Sequence, residues 1–286
     1  MENIKWMVMM RKIQRPDKKS LKEMIQTRDS ARLVHYILRL LVLLIMADQI
    51  FNRKYENVFF CLLTLILFSV PSFVEKNTRI SIPDALENVI LFFIFAAQIL
   101  GEMQSYYSAF PFWDTMLHTI NGFLAAAIGF SLTDILNQNE RFTFRLSPLF
   151  VAIVAFCFSM TIGVIWEFFE YFMDIVFAMD MQKDTIVHTI RSVMLDSTHT
   201  QKIITIDGIS DVIVNGKSLG LGGYLDIGLH DTMKDMFVNF IGALVFSIAG
   251  YFYVKGRKTS SFVPWFIPTL NDKKSMGIIP RKERNE

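Results

Sequence analysis

The sequence predicts an all-α polytopic membrane protein of about six transmembrane helices, with both termini cytoplasmic and one extracytoplasmic insert carrying a small β-hairpin. Three observations lead there. Apolar residues fall in uninterrupted blocks of about twenty, the length that spans a bilayer core. Basic residues crowd both ends of the chain, from Lys5, Arg11, Lys12, Arg15, Lys18, Lys19 and Lys22 at the start to Lys255, Arg257, Lys258, Lys273, Lys274, Arg281, Lys282 and Arg284 at the finish. One long polar segment, residues 178–229, interrupts the blocks. Bulk composition decides less, because 52% hydrophobic residues lies close to the soluble average of about 45–50%. The distribution carries the inference.

Residues 1–30 are polar and basic apart from the apolar patch Trp6–Met10, and read as a cytoplasmic lead-in resting partly on the lipid surface. Met1–Gln14 lacks the apolar core and small-residue cleavage site of a signal peptide. The first span, about Leu33–Phe51, is therefore expected to act as an uncleaved anchor, with Arg39 snorkelling to the cytoplasmic interface. The linker Asn52–Asn57 leads to the second span, Val58–Val74. Glu75–Asp84 follows, with Pro83 suited to the first turn of the third span, about Ala85–Leu100. The loop Gly101–Trp113 has no basic residue and is rich in Tyr106, Tyr107, Phe110, Phe112 and Trp113, the composition of an interfacial belt.

The fourth span, about Asp114–Leu136, carries Gly122, Ala125, Ala126 and Gly129, small residues that let helices approach closely. After the loop Asn137–Ser147, the fifth span runs from Pro148 to about Phe177, about 45 Å by helix rise and so longer than the hydrocarbon is thick. In the insert, Thr185–Leu195 has apolar residues at 186, 187, 190, 193 and 194, which predicts an amphipathic surface helix. Lys202–Ser218 predicts strand, with turn signals at Asp207-Gly208 and Asn215-Gly216. The glycine-rich stretch Gly220–Gly228 returns the chain to the sixth span, about Met233–Val254. Phe262–Pro268 reads as an interfacial anchor within the tail. The expected organisation is a basic lead-in at 1–30, a six-helix membrane domain at 31–256 and a cytoplasmic basic tail at 257–286.

An even number of spans puts both termini on one side. The segments assigned to that side hold 21 Lys and Arg against 6 on the other, four of these in the long insert, where charge matters less. Basic loops stay in the cytoplasm, so both ends are placed inside. The two cysteines, Cys61 and Cys157, fall at different depths, beyond the Cα separation of about 7 Å that a disulfide tolerates, and indicate no redox role.

Three polar helix ends then meet at the outer face. The fifth span closes on Gly163–Asp174 (G-V-I-W-E-F-F-E-Y-F-M-D), in which Glu167, Glu170 and Asp174 share one helical stripe at i, i+3, i+7. The fourth span opens with Asp114 and His118 at i, i+4. The sixth opens with Asp231, Asp235 and Asn239 at i, i+4, i+8. Ionisable groups at membrane depth are costly and usually face a bundle interior or a wet cavity. Crowded carboxylates cannot all ionise in low dielectric unless protons or a cation neutralise them. One imidazole among carboxylates suits a divalent ion such as Zn²⁺ or Mn²⁺, and an all-oxygen subset suits Mg²⁺. On this reading Asp114, His118, Glu170, Asp174, Asp231 and Asp235 are candidate ligands. Glu167 and Glu170 are candidate catalytic groups, since a bound metal can activate water with a spare Glu as base. A plainer reading has His118 and Lys234 pairing with Asp231 and Glu170 to staple the helices, with Asn239 as interhelical glue. Asp226 is expected to serve a turn.

These residues carry a resemblance. The ordered set F-W-D-T-M-L-H-T-I-N-G (112–122), W-E-F-F-E-Y-F-M-D (166–174) and D-T-M-K-D-M-F-V-N-F-I-G-A (231–243) resembles a bacterial inner-membrane family typified by YjdF. More thinly, the layout of a D-x-x-x-H helix start, a later Glu and a D-x-x-x-N-x-x-G-A helix is similar to the VanZ-like membrane proteins, although the Lys common beside the first Asp there is absent here. The resemblance implies a multi-pass protein of the bacterial cytoplasmic membrane and brings no reaction with it.

Three functions stay open at this point. One is a divalent-metal site at the outer leaflet that extends to hydrolysis. Another is a cation or proton-coupled carrier using the same carboxylates, and the third is a structural or assembly factor of the envelope. The expected partners are the lipid bilayer and a small-molecule, lipid or ion substrate. No nucleic-acid partner is expected, because membrane topology already accounts for the basic ends.

Overall fold

The structure is a computed structural model that describes residues 18–78, 80–138, 146–256 and 262–270. The patch Trp6–Met10, Arg141 and Arg145 of the loop after the fourth span, and most of the basic tail lie outside the described residues. Among the described residues, six helical stretches are long and apolar enough to cross a membrane: Leu33–Phe51, Tyr55–Asn77, Asp84–Met103, Trp113–Asn137, Pro148–Phe177 and Leu229–Gly256. They match the six spans expected from the apolar blocks. The chain divides into two compact units, one made of Met1–Trp113, Ala127–Ala155 and Phe246–Glu286, the other of Asp114–Ala126 and Phe156–Val245.

In the first unit, α1 (Lys18–Phe51) carries the first span. The second span is broken into α2 (Tyr55–Leu67) and α3 (Val70–Asn77). The break has a local cause: Pro71 has no N–H to donate and suits the first turn of a new helix. Arg39, expected to snorkel to the interface, donates from Nη2 to Ser69 Oγ at 2.8 Å, at that break. The strand β1 (Ile80–Ser81) precedes α4 (Asp84–Phe95), which runs on as a π-helical stretch, Ala96–Met103. The short α5 (Tyr106–Ala109) leads into α6 (Trp113–Gln138). Leu38, Val42, Cys61, Phe68, Leu91 and Ile99 form the buried core of this unit. Cys61 and Cys157 are both free.

Beyond the sixth span, β8 (Thr269–Leu270) pairs antiparallel with β1, Ile80 opposite Leu270 and Ser81 opposite Thr269. The linker after the second span and the segment after the sixth are thus hydrogen-bonded together. The charge rule puts both on the same side of the membrane, so the pairing agrees with an even number of crossings between them.

The second unit holds the start of α6, the second half of α7 (Pro148–Phe177), the insert and the first half of α8 (Leu229–Gly256). Close approach of these helices is a consequence of glycine. A Cβ on Gly122 would overlap the backbone carbonyl of Asn239, and one on Gly242 would overlap that of Thr119. Ser159 Oγ, buried on α7, donates to the Gly122 carbonyl at 2.7 Å. Small residues let the backbones meet, and a hydroxyl then ties α7 to α6.

The insert is strand where a helix was expected. Thr185–Leu195 forms β2 (Ile186–Val187), β3 (Ile190–Ser192) and a single 3₁₀ turn, Val193–Leu195. Its run of β-branched residues (Thr185, Ile186, Val187, Thr189, Ile190) favours a pleated chain over a helix, and each strand finds a partner. β2 pairs with β7 (Tyr224–Leu225), and β3 pairs with β4 (Ile204–Ile206). The hairpin β5 (Ile213–Val214) to β6 (Lys217–Ser218) turns at Asn215-Gly216, both at positive φ, as a two-residue loop requires. Asp207-Gly208 closes no hairpin; Thr189 Oγ1 donates to Asp207 Oδ1 at 2.9 Å instead. Asp226 serves the turn before α8, accepting from the backbone N–H of Thr185 and of His230, each at 2.7 Å. Burial works against its charge, yet these N–H donors hold its carboxyl below the usual range.

Candidate functional site

The acidic groups enter the site from three helix ends. Asp114 and Asp231 lie in the first turns of α6 and α8, where the helix dipole and unpaired N–H groups favour negative charge. Glu167 and Glu170 come from near the end of α7, where the dipole gives no such help and partners must come from side chains. His118, Glu167, Glu170, Asp231, Asp235 and Asn239 are all buried, Asp235 and Asn239 to 1% exposure.

His118 sits at the centre. Its Nε2 lies 3.4 Å from Asp114 Oδ1 and 3.8 Å from Asp235 Oδ2, while Nδ1 lies 3.9 Å from Glu167 Oε1. Asp114, His118 and Asp235 each present a ligand atom within 4.8 Å of the other two. Ligands about 2.0–2.2 Å from a tetrahedral Zn²⁺ stand roughly 3.4 Å apart, close to the 3.4 Å and 3.8 Å that separate His118 Nε2 from Asp114 Oδ1 and Asp235 Oδ2. Glu167 is 5% exposed, and its Oε2 has no hydrogen-bond partner. Such an oxygen is costly to bury empty-handed.

A cation the motif reading treated only as a staple joins this group. Lys234 Nζ lies 3.4 Å from Asp114 Oδ2, 3.7 Å from Asp235 Oδ1 and 3.3 Å from Asp231 Oδ1. It therefore pairs with Asp231, as the plainer reading expected. Glu170 takes another partner, accepting from Trp166 Nε1 at 2.8 Å. Trp166 is thus a donor to the acidic stripe, and the i, i+4 spacing of W-E-F-F-E was the signal available for it.

The remaining candidates serve the chain. Asp174 accepts the backbone N–H of Met181 at Oδ1 (2.6 Å) and of Gln182 at Oδ2 (2.9 Å). Both of its oxygens are engaged in anchoring the start of the insert, away from the three-ligand group. Asp231 Oδ2 accepts the N–H of Lys183 at 2.8 Å, and Gln182 Nε2 donates to Thr232 Oγ1 at 2.6 Å. Residues 181–183 are thereby held against the first turn of α8. Asn239 does act between helices: Oδ1 accepts from Asn121 Nδ2 at 3.2 Å, and Nδ2 approaches the Ser159 carbonyl at 3.5 Å.

Among known proteins, one of Thermotoga maritima described as an uncharacterized protein is 27% identical over 104 residues, covering 36% of this chain and 52% of that relative. The match thus spans about half the length of the relative. No solved structure matches. The family described as Predicted membrane protein (DUF2238) matches residues 33–256, from the first span to the end of the sixth, and the chain belongs to that family.

Proposed function

We propose that this multi-pass protein resides in the bacterial cytoplasmic membrane and binds a divalent cation at its extracytoplasmic side through Asp114, His118 and Asp235. The observation that carries the reading is the convergence of these three groups from two helices, with Glu167 buried beside them and one of its oxygens unpaired. Aspartate–imidazole–aspartate is a donor set for Zn²⁺ or Mn²⁺, and less so for Mg²⁺, which prefers oxygen alone. A bound ion would supply Lewis acidity and an activated water. In the hydrolytic extension, Glu167 Oε2 is the atom free to take a proton, and Glu170, fixed by Trp166, is a second carboxyl beside the stripe. The placement of the site at the outer face rests on the excess of basic residues in the segments assigned to the cytoplasm.

The three motifs that resemble the family typified by YjdF lie entirely within the matched residues 33–256, which supports taking the two families as one. The thinner VanZ-like likeness rests on Asp114 and His118, a later Glu, and Asp235, Asn239, Gly242 and Ala243. The structure places Lys234 beside the first of these aspartates, which supports a similar charge arrangement reached from a different helix.

The test is metal analysis of protein purified in detergent without chelator, with a thermal-shift titration of Zn²⁺, Mn²⁺ and Mg²⁺. The reading expects a near-stoichiometric transition metal, or a melting temperature that climbs with added ion as binding to the folded state requires. Metal-free protein with no shift from any of the three would end it.

A further inference from the structure

Resting on the metal reading above, we infer that Lys234 is the positioning residue of the site, holding Asp114 and Asp235 in register as ligands. The geometry divides each carboxylate. Asp114 turns Oδ1 to His118 and Oδ2 to Lys234; Asp235 turns Oδ2 to His118 and Oδ1 to Lys234. Imidazole and ammonium therefore occupy opposite sides of the same two acids. One ammonium bridges the two oxygens that a metal would leave unused, across α6 and α8.

Physical need matches this geometry. Asp114 and Asp235 belong to different helices and would repel one another if both were ionised without a counter-charge between them. Asp235 is 1% exposed, so water offers it little screening. Ligating carboxylates are usually oriented by groups outside the coordination shell, and loss of such a group typically lowers metal affinity about 10–100-fold. Lys234 donates to Asp114 Oδ2, whereas Asp235 Oδ1, 3.7 Å away, has no hydrogen-bond partner and is held by charge alone. Lys234 also reaches beyond the two ligands. Its third partner, Asp231, uses its other oxygen to hold the Lys183 N–H. The register of the ligands is thus tied through Lys234 and Asp231 to residues 181–183 of the insert.

The opposite expectation is equally definite: a lysine that merely neutralised the acids would compete with a cation, and its removal would tighten binding. The sign of the change separates the two roles. The experiment measures Zn²⁺ affinity by competition with a chromophoric chelator, in detergent-solubilised full-length protein, for wild type, Lys234→Met, Lys234→Gln and Lys234→Arg. Melting temperature and gel filtration confirm folding of each.

The inference expects Met and Gln to weaken Zn²⁺ binding about 10–100-fold. Arg should recover most of the affinity, since a guanidinium can also bridge two carboxylates. Unchanged or tighter binding in the folded Met or Gln protein overturns the positioning role while leaving the metal site standing. Absence of Zn²⁺ binding in wild type overturns the metal reading itself. Gln keeps a polar head at the rim and decides the matter should Met fail to fold.

Discussion

Asn239 Oδ1 accepts a hydrogen bond from Asn121 Nδ2 at 3.2 Å, one turn along α8 from Asp235 and just under one turn along α6 from His118. The pair locks the helices that deliver the candidate ligands. Its surroundings leave no slack: Gly122 and Gly163 both face Asn239, and Gly242 faces the Thr119 carbonyl. An interhelical bond of this kind contributes about 0.6–1.7 kcal/mol in a membrane.

Replacing the glycines tests that packing. A methyl at Gly122 or Gly242 meets a backbone carbonyl, which cannot rotate away, so Gly122→Ala and Gly242→Ala should each destabilise by about 1–3 kcal/mol. Thermal unfolding in detergent should show a lowered midpoint for both and none for Cys157→Ala, which lies on an exposed position. Equal midpoints for all three would show that α6 and α8 do not meet as closely as described.

Asp174 provides a second test, because it separates ligand from anchor. With both oxygens committed to the Met181 and Gln182 N–H groups, Asp174→Asn can keep one of these bonds but loses a charge-assisted acceptor, a loss of about 1.5–3 kcal/mol. Hydrogen exchange over residues 178–184 should quicken while the affinity for Zn²⁺ stays near that of wild type. A large fall in affinity with unaltered exchange would return Asp174 to the ligand set.

A third prediction concerns acid. Asp196 accepts from the hydroxyl and N–H of Thr198, and from the N–H groups of Lys202 and Thr200, and these bonds hold its carboxyl well below the usual carboxylate range. A carboxyl depressed on folding contributes stability that is fully present above its unfolded value of about 4 and fades as pH falls toward the folded value. Amide protection at Thr198, Thr200 and Lys202 should hold from neutral pH to about pH 4 and decline below it. Asp196→Asn should show weaker protection at neutral pH and little further change in acid. Protection that fell between pH 7 and pH 5 would contradict this assignment.

Much of this was legible in the chain because the bilayer imposes a simple code. Six apolar blocks gave six spanning stretches, and the helical spacing of Asp114 with His118 and of Asp231, Asp235 and Asn239 put each set on one face. What spacing cannot convey is which oxygen meets which partner. Glu167, Glu170 and Asp174 share a stripe, yet they divide among His118, Trp166 and the backbone of the insert. The fate of Asp174 depends on the chain reversing after Phe177, with Ala178 at positive φ, and no local motif announced that turn. The insert failed for a different reason. Apolar residues at 186, 187, 190, 193 and 194 fit a helical period, but the β-branched chain there pairs with strands contributed from residues 204–225, contacts that a local period cannot register. Lys234 is expected from the sequence only as a staple to Asp231 or Glu170; its contact with Asp114 carries no pattern until the two helices are brought together.

The central claim is that His118 and the carboxylates of Asp114 and Asp235 form one metal site, and X-ray absorption at the zinc K-edge of the Zn²⁺-loaded protein tests it most directly. The account predicts a first shell of nitrogen and oxygen near 2.0–2.2 Å, without sulfur, carrying the scattering signature of a single imidazole that disappears in His118→Ala. A sulfur shell, or imidazole scattering that persists unchanged in His118→Ala, would contradict it.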